Sequence, residues 1–127
     1  MKLSFEYDRR YSPAFPVLEL QASGVDPTQS RTLMGLIDSG SDATQLPLSI
    51  LRSIGARPVD RRWVRDLAGI RYAVAVYAVR LQIGDLALPE MEVIGREGMA
   101  EVIVGRDVLN QLIVTLNGLA YITELSD

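Results

Sequence analysis

Leu36-Ile37-Asp38-Ser39-Gly40-Ser41-Asp42-Ala43-Thr44 is the stretch of this chain best suited to chemistry. An apolar run delivers an acidic residue, a hydroxyl and a glycine in direct succession. That order sets a carboxylate at the mouth of a strand, on a tight loop, with a hydroxyl and backbone N–H groups near enough to orient it. A carboxylate so placed suits acid–base work. The plain alternative is a turn, since Asp, Ser and Gly all favour turns.

Composition narrows the chemistry by exclusion. The 127 residues include no Cys and no His. Thiol nucleophiles, disulfides, Ser-His and Cys-His pairs and the usual zinc sites are therefore excluded. Any catalysis runs on carboxylates, Arg, Tyr, hydroxyls or the single Lys2, and no metal or cofactor is expected. A net charge of −3 gives no reason to expect nucleic acid or an anionic membrane as partner. The Arg residues are scattered, and the pairs Arg9-Arg10 and Arg61-Arg62 read as solvated edges. No run approaches the roughly 18 apolar residues of a membrane span, and the first residues lack a signal-peptide core. The expectation is a soluble, cytoplasmic protein forming a single domain over residues 1–127, which can also be one domain of a longer chain.

The elements that must position Asp38 have mostly a period of two. Leu3, Phe5 and Tyr7 alternate with polar neighbours as in a half-buried strand. Phe15 to Gln21 reads as a second strand, with Pro16 marking an edge or a start. Ser23 to Ser30 is turn-rich. Arg31 to Ile37, apolar on both faces, reads as the central strand that delivers Asp38. Pro47 suits the first position of a short helix, Leu48 to Ile54, closed by Gly55. Val59 to Leu67 and Arg71 to Ile83 form a long hairpin joined by Ala68-Gly69-Ile70. In its second arm Tyr72, Val74 and Val76 share one face, and Ala75, Tyr77, Val79 and Leu81 the other. Gly84-Asp85 turns the chain again. Met91 to Ile94 and Glu101 to Val104 are short strands, and Arg106 to Leu112 is a turn or two of helix. Ile113 to Leu116 and Leu119 to Glu124 flank Asn117-Gly118, a strong hairpin signal. The pattern implies eight or nine strands and two short helices: a mainly β fold.

Two blocks of this map resemble a known family. Ile37-Asp38-Ser39-Gly40-Ser41-Asp42-Ala43-Thr44 resembles the active-site motif of the retropepsin-like aspartic proteases, and Val102-Ile103-Val104-Gly105-Arg106-Asp107-Val108-Leu109 resembles their second signature. With the hairpin midway between, the resemblance covers roughly residues 13 to 124. It implies a retropepsin-like acid protease barrel with one or two short helices, and an aspartic endopeptidase acting on peptide or protein substrates.

Carboxylate-driven hydrolysis of an amide needs two acids sharing one proton, one serving as base to a water and one donating to the carbonyl oxygen. This chain offers one such loop, so the resemblance implies a homodimer with Asp38 from each subunit on the two-fold axis. It makes Asp38 the catalytic acid/base, Ser39 a hydroxyl donor across the dimer, and Gly40 the point of close backbone approach. Asp42 and Arg106 match an acid–Arg pair, with Asp42 also facing substrate. Thr44 and Asp107 fall to the scaffold. Gly69 and Ile70 form the tip of a flap closing over the peptide, and Ile103 lines a side-chain pocket. Trp63 and Tyr72 are flap aromatics whose plainer role is packing. Two other readings stay open: a retropepsin-fold module that binds peptides or dimerises without cleaving, and a β-barrel with a coincidental turn.

Overall fold

Alternating apolar residues build the strands of a closed barrel. The computed structural model describes residues 1–127. In chain order it has β1 (Lys2–Glu6), β2 (Val17–Ser23), β3 (Ser30–Ile37), β4 (Gln45–Pro47), α1 (Leu48–Ser53), β5 (Arg57–Arg65), β6 (Arg71–Ile83), β7 (Leu86–Arg96), β8 (Val102–Val104), α2 (Arg106–Leu109), β9 (Ile113–Asn117) and β10 (Ile122–Ser126). The large sheet runs β2-β3-β8-β4-β7-β6-β5, and a further β2–β6 pairing closes it. The ring of β2, β3, β8, β4, β7 and β6 thus has no free edge, and β5 hangs outside it on β6 alone.

Burial follows the alternation. Leu18, Leu20 and Ala22 of β2 point into the barrel while Glu19 and Gln21 point out. They meet Leu46, Leu81, Ile83, Val93 and Val104 from the other walls, with Leu51 of α1, Ile54 just after it and Val108 of α2 completing the core. Burying each such side chain contributes roughly 1.5–3 kcal/mol. In β6 the buried side switches phase between Val76 and Val79, where the strand leaves its pairing with β5 and joins the barrel. The two faces expected for this strand hold, and each is buried in turn: Val74 and Val76 of one face in the outer half, Val79 and Leu81 of the other in the barrel. Its free half, with the almost wholly exposed β5, stands off as a hairpin arm.

Local chemistry sets the turns. Gly55, at φ +65°, ends α1 in a Schellman motif: its N–H donates to the Arg52 carbonyl at 3.1 Å, and the Ala56 N–H to that of Leu51 at 2.9 Å. Pro47 does not open this helix; its ψ of 141° keeps it extended as the last residue of β4. Gly84, at φ +53°, takes the first central position of the two-residue β6–β7 turn, where a left-handed residue is needed.

A second sheet, β1-β10-β9, brings the first and last strands together, with Leu125 buried beneath it. The β9–β10 hairpin forms, but not around a two-residue Asn-Gly turn. Asn117 pairs with Ile122, so the loop is Gly118 to Tyr121, and the residue with positive φ is Tyr121, at 56°. Asn117 Oδ1 accepts the Ala120 N–H at 3.1 Å. Tyr121 is held by the Tyr7 ring, edge-on at 5.9 Å, and by the Tyr7 N–H, which donates to its carbonyl at 2.9 Å. These distant contacts override the local turn preference. The short strand β4 was also missed in the sequence, because its three residues lie between the Asp38 loop and α1 without room for a period to register. It brings the total to ten strands. No helix is long and apolar enough to cross a membrane.

Candidate active site

Asp38 stands at the end of β3, as its apolar approach implies. Its N–H donates to the Val104 carbonyl at 3.0 Å, the last rung between β3 and the parallel β8. Its side chain is half-buried, and Oδ1 accepts the Gly40 N–H at 2.9 Å. Oδ2 makes no hydrogen bond within the chain. The Ser41 N–H donates to the Asp38 carbonyl at 3.2 Å, which closes the loop. Ser39 is exposed, and its hydroxyl has no partner within the chain.

The second block clamps this loop from below. The Arg106 N–H donates to the Ser41 carbonyl at 2.9 Å, and its Nη1 to the Ser39 carbonyl at 2.7 Å. Thr44 is fully buried; its N–H and hydroxyl donate to the two Asp107 oxygens at 3.0 and 2.7 Å. The Gly105 N–H donates to the Thr44 hydroxyl at 3.1 Å. A Cβ at Gly105 would lie 2.6 Å from the Ala43 carbonyl carbon, so only glycine fits where the two segments cross. Electrostatic and steric constraints thus fix the loop as a rigid floor.

Above it lies an open cleft of about 450 Å³. Asp38, Gly40, Ser41, Asp42 and Gln45 line it from the loop and β4. Val64, Arg65, Asp66, Leu67 and Tyr72 line it from the β5–β6 hairpin, and Ile94 and Arg96 from β7. The hairpin tip is a turn with a left-handed glycine. The Gly69 N–H donates to the Asp66 carbonyl at 3.0 Å, Asp66 Oδ1 accepts the Ile70 N–H at 2.9 Å, and Gly69 has φ +82°.

Several expected placements differ. Asp42 and Arg106 do not pair: Arg106 reaches the Ser39 carbonyl, because its own N–H is tied to Ser41 and aims the guanidinium along the loop. Asp42 is exposed in the cleft without an ion-pair partner. Ile103 is half-buried between Leu36 and Gln45 and lies outside the cleft of the single subunit. Gly69 and Ile70 shape the hairpin turn, but the tip residues that line the cleft are Asp66 and Leu67. Gln45 and Arg96 escaped the sequence reading. Each sits at a strand end with nothing local to separate it from a solvated polar residue, and only the β4–β7 pairing sets them together.

No protein-family model matches the chain, and no curated protein matches it. Solved structures do. Over 98% of this chain and 90% of the other, the fold matches that of a retropepsin-like aspartic protease from Rickettsia conorii, with TM-score 0.67 and 10% identity. The chain has the retropepsin-like fold. The EIAV protease, complexed with the inhibitor HBY-793, matches over 84% of this chain and 93% of its own, with TM-score 0.62 and 15% identity. Identities this low speak for the retropepsin-like fold alone, so any activity must be argued from the site.

Proposed function

We propose that the chain is an aspartic endopeptidase whose catalytic centre is completed by a second copy of itself. One observation carries this reading. Asp38 stands on the clamped loop at the floor of a cleft, with Oδ2 and the neighbouring Ser39 hydroxyl both unused inside the subunit and no hydrogen bond to the cleft's other carboxylates, Asp42 and Asp66. Across a two-fold axis each of these groups meets its own copy. The paired carboxylates hold one proton between them, because two like charges at hydrogen-bond distance resist joint ionisation.

In the reaction the ionised Asp38 takes a proton from a water, and the protonated one donates to the scissile carbonyl oxygen. The water oxygen bonds to the carbonyl carbon, giving a tetrahedral diol. The proton held by the first Asp38 then passes to the amide nitrogen while the second, now ionised, takes a proton back from a diol hydroxyl, so that the C–N bond breaks to give a carboxylic acid and an amine. The substrate lies extended between the floor and the β5–β6 hairpin, which acts as a flap. Val64, Leu67 and Ile94 offer it apolar contacts.

The mode of dimerisation has support in the second sheet. β1 pairs with β10 inside one subunit, while the outer edge of β9 is unpaired and carries exposed Ile113 and Leu116. An unpaired apolar edge suits addition of a second copy.

Asp38→Asn tests the reading. The variant is expected to keep its fold and lose cleavage of peptides with apolar residues at the scissile bond. Full activity in that variant rejects the dyad. A folded wild type that binds peptides and never cuts them favours a binding module with the same fold.

A further inference from the structure

The cleft contains a cation that the hydrolytic chemistry does not use. Arg96, half-buried at the end of β7, donates through Nη1 to Gln45 Oε1 at 3.2 Å and to the Tyr72 hydroxyl at 3.1 Å. Its guanidinium carbon lies 5.5 Å from the centre of the Tyr72 ring. Both hydrogen-bond partners are neutral, and Arg96 has no carboxylate within ion-pair distance. Nε and Nη2, the edge that meets a carboxylate side-on through two parallel hydrogen bonds, have no partner within the chain.

The group is also held in position. The Ser41 hydroxyl donates to the Ala43 carbonyl at 2.7 Å, and Gln45 Nε2 donates to that hydroxyl oxygen at 3.3 Å. This relay fixes the amide with Oε1 turned towards Arg96. Tyr72 fixes the other side from the flap. A guanidinium held by neutral partners, beside the candidate catalytic loop, has lost part of its hydration and gained no counter-charge. A bound anion would supply it.

The geometry points to a carboxylate-recognition subsite: Arg96, oriented by Gln45 and Tyr72, takes the side chain of a Glu or Asp of an extended peptide, a few residues from the scissile bond. Arg96 is thus a specificity residue, and the natural substrate is an acidic segment with apolar residues at the cut. The substrate part of this inference rests on the endopeptidase reading; the subsite itself does not.

The test uses octapeptides with two apolar central residues and either Glu or Gln at each flanking position in turn. Binding is measured to the full-length Asp38→Asn protein, and cleavage with the wild type. At one position Glu is expected to bind at least about tenfold tighter than Gln, as for one charge-assisted pair. Arg96→Gln brings that ratio to about one, and Arg96→Glu inverts it in favour of Gln. Equal binding of Glu and Gln peptides at every position, no peptide binding at all, or a preference unchanged in Arg96→Gln each overturns the subsite. Arg96-dependent Glu preference in binding without any cleavage by the wild type upholds the subsite and rejects the protease. Cleavage that ignores Glu at every position does the reverse.

Discussion

Thr44 and Asp107 stand 63 residues apart in the chain and clasp each other through two hydrogen bonds, at 3.0 and 2.7 Å. Asp107 also accepts the Val108 N–H at 2.9 Å, so one carboxylate ties the end of the Asp38 loop to the start of α2. The rigidity of the floor depends on this clasp, since Thr44 is fully buried and its hydroxyl also receives the Gly105 N–H.

Breaking the clasp leaves buried polar groups unsatisfied. Thr44→Val and Asp107→Leu are each expected to cost roughly 2–3 kcal/mol. The double variant should cost clearly less than the sum, because both remove the same bonds. Urea titration of the four proteins gives the coupling energy. Strict additivity contradicts a shared clasp.

Two glycines separate packing from backbone freedom. Gly105→Ala forces a methyl to within 2.6 Å of the Ala43 carbonyl carbon, and should destabilise the fold by about 3 kcal/mol. Gly69→Ala meets nothing within 4 Å, yet it must hold φ near +82°. Its cost is roughly 1–2 kcal/mol of strain, confined to the hairpin tip. It should lower the melting temperature by less than Gly105→Ala does, while altering turnover through the flap. Equal melting temperatures for the two variants argue against the crossing at Gly105.

Thr123 is fully buried, and its hydroxyl has no partner. Thr123→Val keeps the shape and removes the unsatisfied group, so a gain of about 1 kcal/mol is expected. A loss in calorimetry implies that the hydroxyl is bonded in solution.

The pH dependence has two parts. The Arg10 side chain and N–H hold the Asp8 carboxyl below its usual range, and the Thr28 hydroxyl and N–H do the same for Asp26. A lowered carboxyl stabilises the fold above its unfolded value, about 4, and that contribution is lost as the pH falls through the folded value. Stability should therefore hold between about pH 5 and 7 and decline below about pH 4. Cleavage should favour acidic to mildly acidic pH, since the dyad must keep its proton. A rate that climbs steadily above pH 8 contradicts the dyad.

Periodicity carried much of this molecule into view. Arg71 to Ile83 is a strand with the bounds its pattern implies, and Asp38 ends a strand because an apolar run precedes it. Gly55 and Gly84 stop elements where their backbone freedom is needed. These are local effects, fixed by neighbours a few residues away. The partner of Arg106, the loop around Tyr121 and the short β4 were not legible, since each depends on segments far along the chain.

The division follows from the range of the forces. The amino-acid order alone determined every strand but β4, the carboxylate loop and the absence of thiol and imidazole, because rotamer preference, hydrophobic alternation and side-chain chemistry act locally. Only the folded chain decided that Gly105 lies under Ala43, that Thr44 meets Asp107, and that Arg96 lines the same cleft as Asp38. Those contacts form when β8 enters between β3 and β4 and β7 comes to lie beside β4. A pairing of strands so distant in the chain leaves no local trace.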